Sequence, residues 1–418
     1  MSDKRHFARR AVAVLCFVLL AVVGVSTAYS SCVIDKLAGA FKWQPEDLDR
    51  KLSPAARELV KQAFADLGAE PVYDYHAHVV GNSTNSGASV NAAMLSWWHP
   101  IRRFRAKCFA SASGVSGFSG MDDAYVTRLV RLARGFGHPV RINILAMDRY
   151  YNPDGTVDVN KTDFYVPNEY VVRIAEKYPD LFVPVISVHP YRADAVVELE
   201  KWAARGVRMV KWLPNAQGIN PSDPGIDEFY RTMKKHGMIL LTHTGKEMSV
   251  DSGDMQAMGN PLLLRRPLDI GVKVIMAHCA SSGDSADLDN PGKSASNTAL
   301  FFRMMSDARY RSLLFADISA LTQVNRTPHP LIDLLGRPDL QARLVHGSDY
   351  PLPGVNSVIW TRKLVKLGMI TKDERRSLNE IYNCNPLLFD FVLKRTVREP
   401  STGQRFSSPM FVENPELR

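Results

Sequence analysis

Cysteine is scarce in this chain: there are five among 418 residues, and no two stand in a Cys-x-x-Cys spacing. That excludes the common sulfur-ligated zinc sites. Cys16 falls in an apolar N-terminal run, and Cys32, Cys108, Cys279 and Cys384 leave room for one disulfide without assigning it. Low-complexity tracts are also missing, aromatic content is an ordinary 9%, and Gly and Pro are spread along the chain, which argues against long disordered tails. Finally, there is no nucleic-acid-binding motif and no basic stripe interleaved with aromatics, so the formal net charge of +9 does not point to nucleic acid.

Charge is absent altogether between Arg10 and Asp35. Lys4, Arg5, Arg9 and Arg10 precede the apolar run from Ala11 to Val25, and the small residues Ser26, Thr27 and Ala28 follow it. This is the order of a secretory signal with a small-x-small cleavage site; the rival reading is a membrane anchor over residues 11–34. Either way the positive-inside rule puts the bulk of the chain in an exported, periplasmic or extracellular, location. Cleavage after Ala28 removes four Lys/Arg and one Asp, so the net charge of +9 becomes about +6. The remaining excess is scattered except for Arg102, Arg103, Arg105 and Lys107, a cluster that suits a solvated loop or an acidic substrate.

The rest divides into a helical extension over 35–69, a main domain over 70–392 with a lid-like, Gly- and Ser-rich insert at 81–120, and a polar tail over 393–418. A helical pattern runs from Gln44 to Leu67, with a break at Ser53-Pro54. Apolar runs of strand length then recur at Val72–Val79, Val140–Met147, Leu181–Val188, Val207–Leu213, Met238–Thr242, Val272–Ala277, Leu313–Ile318 and Ala342–Val345. Helical patterns separate them, among them Asp122–Arg134, Pro167–Lys177 and Ala193–Ala204, and another, Thr371–Leu393, follows the last. The runs are continuously apolar and not alternating, as a parallel sheet covered on both faces requires. Eight such units predict an α/β fold, a (β/α)8 TIM barrel with peripheral helices, over an open doubly wound sheet.

In such a barrel the chemistry sits at the carboxyl ends of the strands. The first run closes with His76-Ala77-His78, the fourth with Lys211, the fifth with His243, the sixth with His278 and the last with Asp349. Positions i and i+2 of a strand share a face, so His76 and His78 can grip one ion together. Imidazoles and a carboxylate converging at one mouth suit a divalent cation such as zinc. Asp148, Arg149, His189 and Asp317 also lie in or near strand ends and suit substrate contact or structural support equally; His346 is structural, and Trp97, Trp98 and Tyr150 suit a lid or pocket lining or, more commonly for aromatics, simple packing.

The contexts Asp74-Tyr75-His76-Ala77-His78, Leu241-Thr242-His243-Thr244-Gly245, Ala277-His278-Cys279-Ala280 and Gly347-Ser348-Asp349-Tyr350-Pro351, with Lys211, resemble the amidohydrolase superfamily. The last of these and Asn385-Pro386-Leu387-Leu388-Phe389 are closest to its amidohydrolase-related branch, which also holds metal-dependent decarboxylases of aromatic acids. The resemblance spans roughly residues 70–392. It implies His76, His78, His243 and Asp349 as metal ligands, with Asp349, His278 and Lys211 as catalytic groups. One ion or two are both open: Lys211, if carboxylated, and His278 would serve a second metal. The activity implied is hydrolysis of an amide, lactone or ester of a small molecule by metal-activated water. A metal-dependent decarboxylase and a non-catalytic metal-binding barrel are the alternatives. Membrane contact is expected only through the N-terminal segment, and the oligomeric state is open.

Overall fold

A continuous apolar run can be buried only when both faces of its strand are covered, and the fold meets that demand at each of the eight runs. The computed structural model describes residue 34 and residues 36–418 apart from 116 and 119. The leader expected over residues 1–34 therefore falls, but for residue 34, outside the described residues. Eight parallel strands follow one another: β1 (Val72–His78), β2 (Val140–Leu145), β3 (Phe182–Val185), β4 (Met209–Trp212), β5 (Ile239–Thr242), β6 (Lys273–Met276), β7 (Leu314–Asp317) and β8 (Leu344–Val345). They form a sheet β1-β2-β3 and a sheet β8-β7-β6-β5-β4. The two seams are not full ladders. A single parallel bridge, Ile186 to Val210, joins β3 to β4, and another, Ala77 to Tyr350, joins β1 to the chain beyond β8. The order around the ring is that of a (β/α)8 barrel, the expected class.

Alternation sorts each strand's side chains into two cores. Tyr73, Tyr75, Val185, Met209, Ile239, Leu241, Ile275, Phe315 and Val345 fill the barrel interior. Val210, Leu240, Val274, Leu314 and Ala316 face outward into the larger core beneath the helices. The helices the argument needs are α1 (Pro54–Phe64), α2 (Pro100–Ala112), α3 (Met121–Arg134), α4 (Lys372–Cys384) and α5 (Pro386–Thr396). The break expected at Ser53-Pro54 is the start of α1, where Ser53 Oγ accepts from Ala56 N at 3.2 Å. Such a cap contributes about 1 kcal/mol. Asn385 separates α4 from α5, its side chain accepting from Leu387 N and Leu388 N.

Two segments differ from their plain sequence character. Within the insert, 13 residues form the helix α2, and the strand Ser89–Val90 pairs with Phe164–Tyr165. The polar-looking C-terminal residues fold beneath the barrel: Asn414 N donates to Tyr75 Oη (2.9 Å) and Leu417 joins the interior cluster. Among the described residues, Cys108, Cys279 and Cys384 form no disulfide, and no helix is long and apolar enough to cross a membrane.

Candidate metal centre at the barrel mouth

Tyr73 and Tyr75 point into the barrel, so strict alternation would send His76 and His78 outward. A β-bulge between Asp74 and Ala77 prevents this by shifting the register of β1 against β2. Beyond it the phase is reversed, and both histidines turn to the mouth. Asp74 Oδ1 pins the bulge by accepting from His76 N (2.9 Å) and Ser348 N (2.8 Å). Asp349 arrives from the other side of the seam with φ of 59°, its N donating to His76 O at 2.6 Å. His278, Cys279 and Ala280 also carry positive φ, at 57°, 49° and 49°. Strained backbone of this kind persists where surrounding contacts over-determine it, and here it clusters at the site.

His76, His78, Lys211, His243, His278 and Asp349 all line one cavity at the carboxyl end of the barrel. Asp349 Oδ1 lies 3.2 Å from His78 Nε2 and 3.6 Å from His76 Nε2. Donors about 2.0–2.2 Å from a tetrahedral ion are separated by about 3.3 Å, so these spacings fit the edges of such a site. A second set of donors, His76, His278 and Asp317, overlaps the first, each set lying within 4.8 Å. His243 is in neither set, but its ring is 5.0 Å from that of His278 and its buried Nε2 has no hydrogen-bond partner. Glu247 Oε2 stands 3.3 Å from that nitrogen. An orphaned imidazole nitrogen beside a convergent nitrogen and oxygen set is what a divalent cation would satisfy.

Hydrogen bonds fix the tautomers. Asp317 is ionised: burial works to raise its pKa, but His76, which also hydrogen-bonds it, together with His278 and Ser319, holds it well below the carboxylate range. His76 Nδ1 therefore donates to Asp317 Oδ2 (2.9 Å), leaving Nε2 as the lone-pair side, and there Lys211 Nζ donates at 2.9 Å. Ser319 Oγ spends its proton on Asp317 Oδ1, so His278 Nδ1, 2.7 Å away, must be the donor to Ser319. His278 likewise turns a lone pair on Nε2 away from that chain. Burial pushes the His243 pKa down to about 4 and that of His278 well below its ordinary value. It also draws Lys211 down to about 8. Burial opposes ionisation of Asp349, yet His278, the His78 hydrogen bond and His76 keep its pKa well below the usual range.

Of the residues that sequence left undecided, Asp317 is the hub of this network. Asp148, Arg149 and His189 instead form a support outside the cavity lining: Asp148 accepts from His189 N (2.9 Å) and Arg192 Nη1 (3.1 Å), and Arg149 packs over Tyr165. His346 is buried against Phe391 and Phe411, away from the mouth. Glu247, Ser319 and Arg326 carry no strand-end signal and were not singled out by sequence. Arg326 is buried in the cavity wall; Nη1 donates to Ser281 Oγ, while Nε has no partner. The same cavity also has an apolar lining, with Phe109, Phe118, Met147, Phe164 and Val166.

Fold and site together define an α/β-barrel protein with a histidine- and aspartate-lined candidate metal centre. The chain belongs to the amidohydrolase family, whose model matches residues 73–367. Members of this family are metal-dependent enzymes. No curated protein matches the chain. Among solved structures it is similar to an uncharacterised TIM-barrel protein of Bordetella bronchiseptica (16% identity, TM-score 0.46, covering 73% of this chain and 94% of that one). It is also similar to a probable 2-pyrone-4,6-dicarboxylic acid hydrolase of Acinetobacter baumannii (13%, TM-score 0.42, 75% and 96%). A third is the 5-carboxyvanillate decarboxylase of Sphingomonas paucimobilis (10%, TM-score 0.44, 73% and 95%).

Proposed function

We propose that this protein is a metal-dependent hydrolase that cleaves an amide, lactone or ester bond of a small molecule. The observation that carries the reading is the orientation of Asp349. Its Oδ1 faces His76 and His78, while Oδ2 is on the side of His278 Nδ1, 3.9 Å away. One oxygen can thus share in holding a cation while the other exchanges protons. His76, His78, His243 and Asp349 would hold the cation, zinc being the expected ion; were Lys211 carboxylated, it and His278 would hold a second ion, and Lys211 would no longer serve as a hydrogen-bond donor to the substrate. When bound, the ion supplies Lewis acidity to a carbonyl group and acidity to a water molecule.

Asp349 Oδ2 takes the proton of the attacking water and delivers it to the leaving group. His278 has Nδ1–H committed to Ser319, so its Nε2 acts as an acceptor and not as a donor to the carbonyl oxygen. Lys211 Nζ, freed from His76 Nε2 when that lone pair is engaged, donates to an anionic oxygen of the substrate.

A second reading, decarboxylation of a small aromatic acid, draws support from Arg326, a buried guanidinium whose Nε has no hydrogen-bond partner, in a cavity also lined by Phe109, Phe118 and Phe164. One screen separates the two. The metal-loaded protein is offered lactones, amides, esters and hydroxybenzoates, with carbon dioxide release scored apart from hydrolysis. Hydrolysis without carbon dioxide supports the first reading, and carbon dioxide without hydrolysis replaces it with the second. We carry the exported location forward as part of the proposal, on the order of basic, apolar and small residues before Tyr29. Its test is cell fractionation with mass analysis; an intact chain confined to the cytosol would sink it.

A further inference from the structure

Among the described residues, ten large apolar side chains are exposed, and four of them fall in one short run: Trp97 (65%), Trp98 (91%), Ile101 (70%) and Phe104 (42%). Scattered exposed apolar groups are ordinary, whereas a cluster marks a docking surface. The run leads into α2: Trp97 and Trp98 sit in the turn before it, and Ile101 and Phe104, three residues apart, share a side of its first turns. The other side of α2 is buried, and its Ala106, Phe109 and Ala110 line the metal-site cavity.

The charges here have one sign. From Trp97 to Lys107 the chain has Arg102, Arg103, Arg105 and Lys107 and no Asp or Glu. Arg102 is neutralised by Asp163 and Asp251. Arg103 instead lays its guanidinium over the Trp97 ring, 3.3 Å from the centroid, and among the described residues neither it, Arg105 nor Lys107 enters an ion pair. Two tryptophans, two further apolar side chains and the cations Arg103 and Lys107, with Arg105 held only in the longer-range field of Asp163, make a surface whose complement is apolar and negatively charged. A second copy meeting it about a two-fold axis would bring like charges together. An anionic bilayer supplies both halves: acyl chains for Ile101 and Phe104, the headgroup region for the tryptophans, and lipid phosphates for the cations.

We infer that this face is a docking surface for an anionic lipid bilayer, separate from any contact made through the N-terminal segment. The inference is independent of the reaction assigned to the cavity. Its test uses the full chain reconstituted with vesicles of equimolar phosphatidylcholine and phosphatidylglycerol, the phosphatidylcholine carrying brominated acyl chains. The quenched fraction of tryptophan emission is compared between the wild type and the Trp97→Ser, Trp98→Ser double variant. Because the readout is the depth of these two rings, an N-terminal anchor common to both proteins does not mask it. A quenched fraction about twofold lower in the variant is expected. Equal fractions in the two proteins overturn the inference.

Arg103→Glu with Arg105→Glu keeps the rings and reverses the charge. This variant should lose the wild type's stronger quenching on anionic than on pure phosphatidylcholine vesicles, and it serves alone if the serine variant does not fold. A wild type quenched equally on both lipids overturns the inference. So does a soluble dimer that the tryptophan substitutions convert to monomer.

Discussion

His76 Nδ1 donates to Asp317 Oδ2 across 2.9 Å, with both side chains fully buried. That bond settles which nitrogen of His76 faces the mouth, since the carboxylate can only accept. Asp317→Asn keeps the shape but can present an amide hydrogen where an acceptor is needed, so the ring loses its orientation. We expect metal affinity to fall by about 10–100-fold, read by titration with a competing chelator, while the far-ultraviolet circular dichroism is unchanged. Undiminished affinity would remove Asp317 from the support of the site.

Metal analysis of the purified wild type should find about one or two equivalents, and fewer in His243→Ala. Metal absent from both proteins would mean that the orphaned His243 nitrogen serves something else.

Asp349→Asn should lower kcat by about 10²–10⁴-fold, the usual contribution of a positioned acid or base, with the fold retained. Full activity in the Asp349→Asn variant would show that the proton is carried elsewhere, and His278 Nε2 would become the leading acceptor.

His189 gives a prediction about stability. Its Nε2 donates to Gln217 O (2.8 Å) and its Nδ1 accepts from Tyr191 N (3.2 Å), a neutral tautomer with both nitrogens satisfied. Burial pushes its pKa down to about 4, so between about 6.5 and about 4 the unfolded chain binds a proton that the folded one refuses. The folded state is therefore destabilised progressively as pH falls through that window, by up to about 3 kcal/mol from this ring. His189→Gln should flatten this part of the pH dependence in denaturant unfolding. An equally steep profile in the variant would assign the effect to other histidines.

Leu417 is 6% exposed and packs among Tyr75, Ile239 and Val345 at the foot of the barrel. Leu417→Ala should cost about 2 kcal/mol or more, measured as a lower denaturation midpoint, with little change in metal content. A midpoint shift within experimental error would show that this segment is dispensable to the barrel.

The barrel was legible because each strand is buried twice over, once in the interior and once beneath the helices, and runs such as Ile239–Leu241 record both burials as unbroken apolar sequence. The His76–His78 pairing was legible too, since residues two apart share a face. The direction of that face was not. The bulge that turns both rings inward depends on Asp74 reaching Ser348, which is remote in sequence, and no local pattern announces it. Ser319 and Glu247 act through bonds to Asp317 and to backbone amides in loops, where periodicity carries no information. The insert was hard to read for a related reason. In α2 the apolar side chains are divided between an exposed face and the cavity wall, so the stripe that marks an ordinary core-facing helix is missing.

Leu417 and Asn414 also decide how the interior can be reached. These residues and the tyrosine pair above them fill the foot of the barrel interior. In the proposed reaction, substrate and product would then share the cavity at the opposite, carboxyl end, whose lining includes Ala106, Phe109 and Ala110 of α2. A product that lingered there would exclude the next substrate, so competitive inhibition by product is the expected kinetic signature of the proposed reaction.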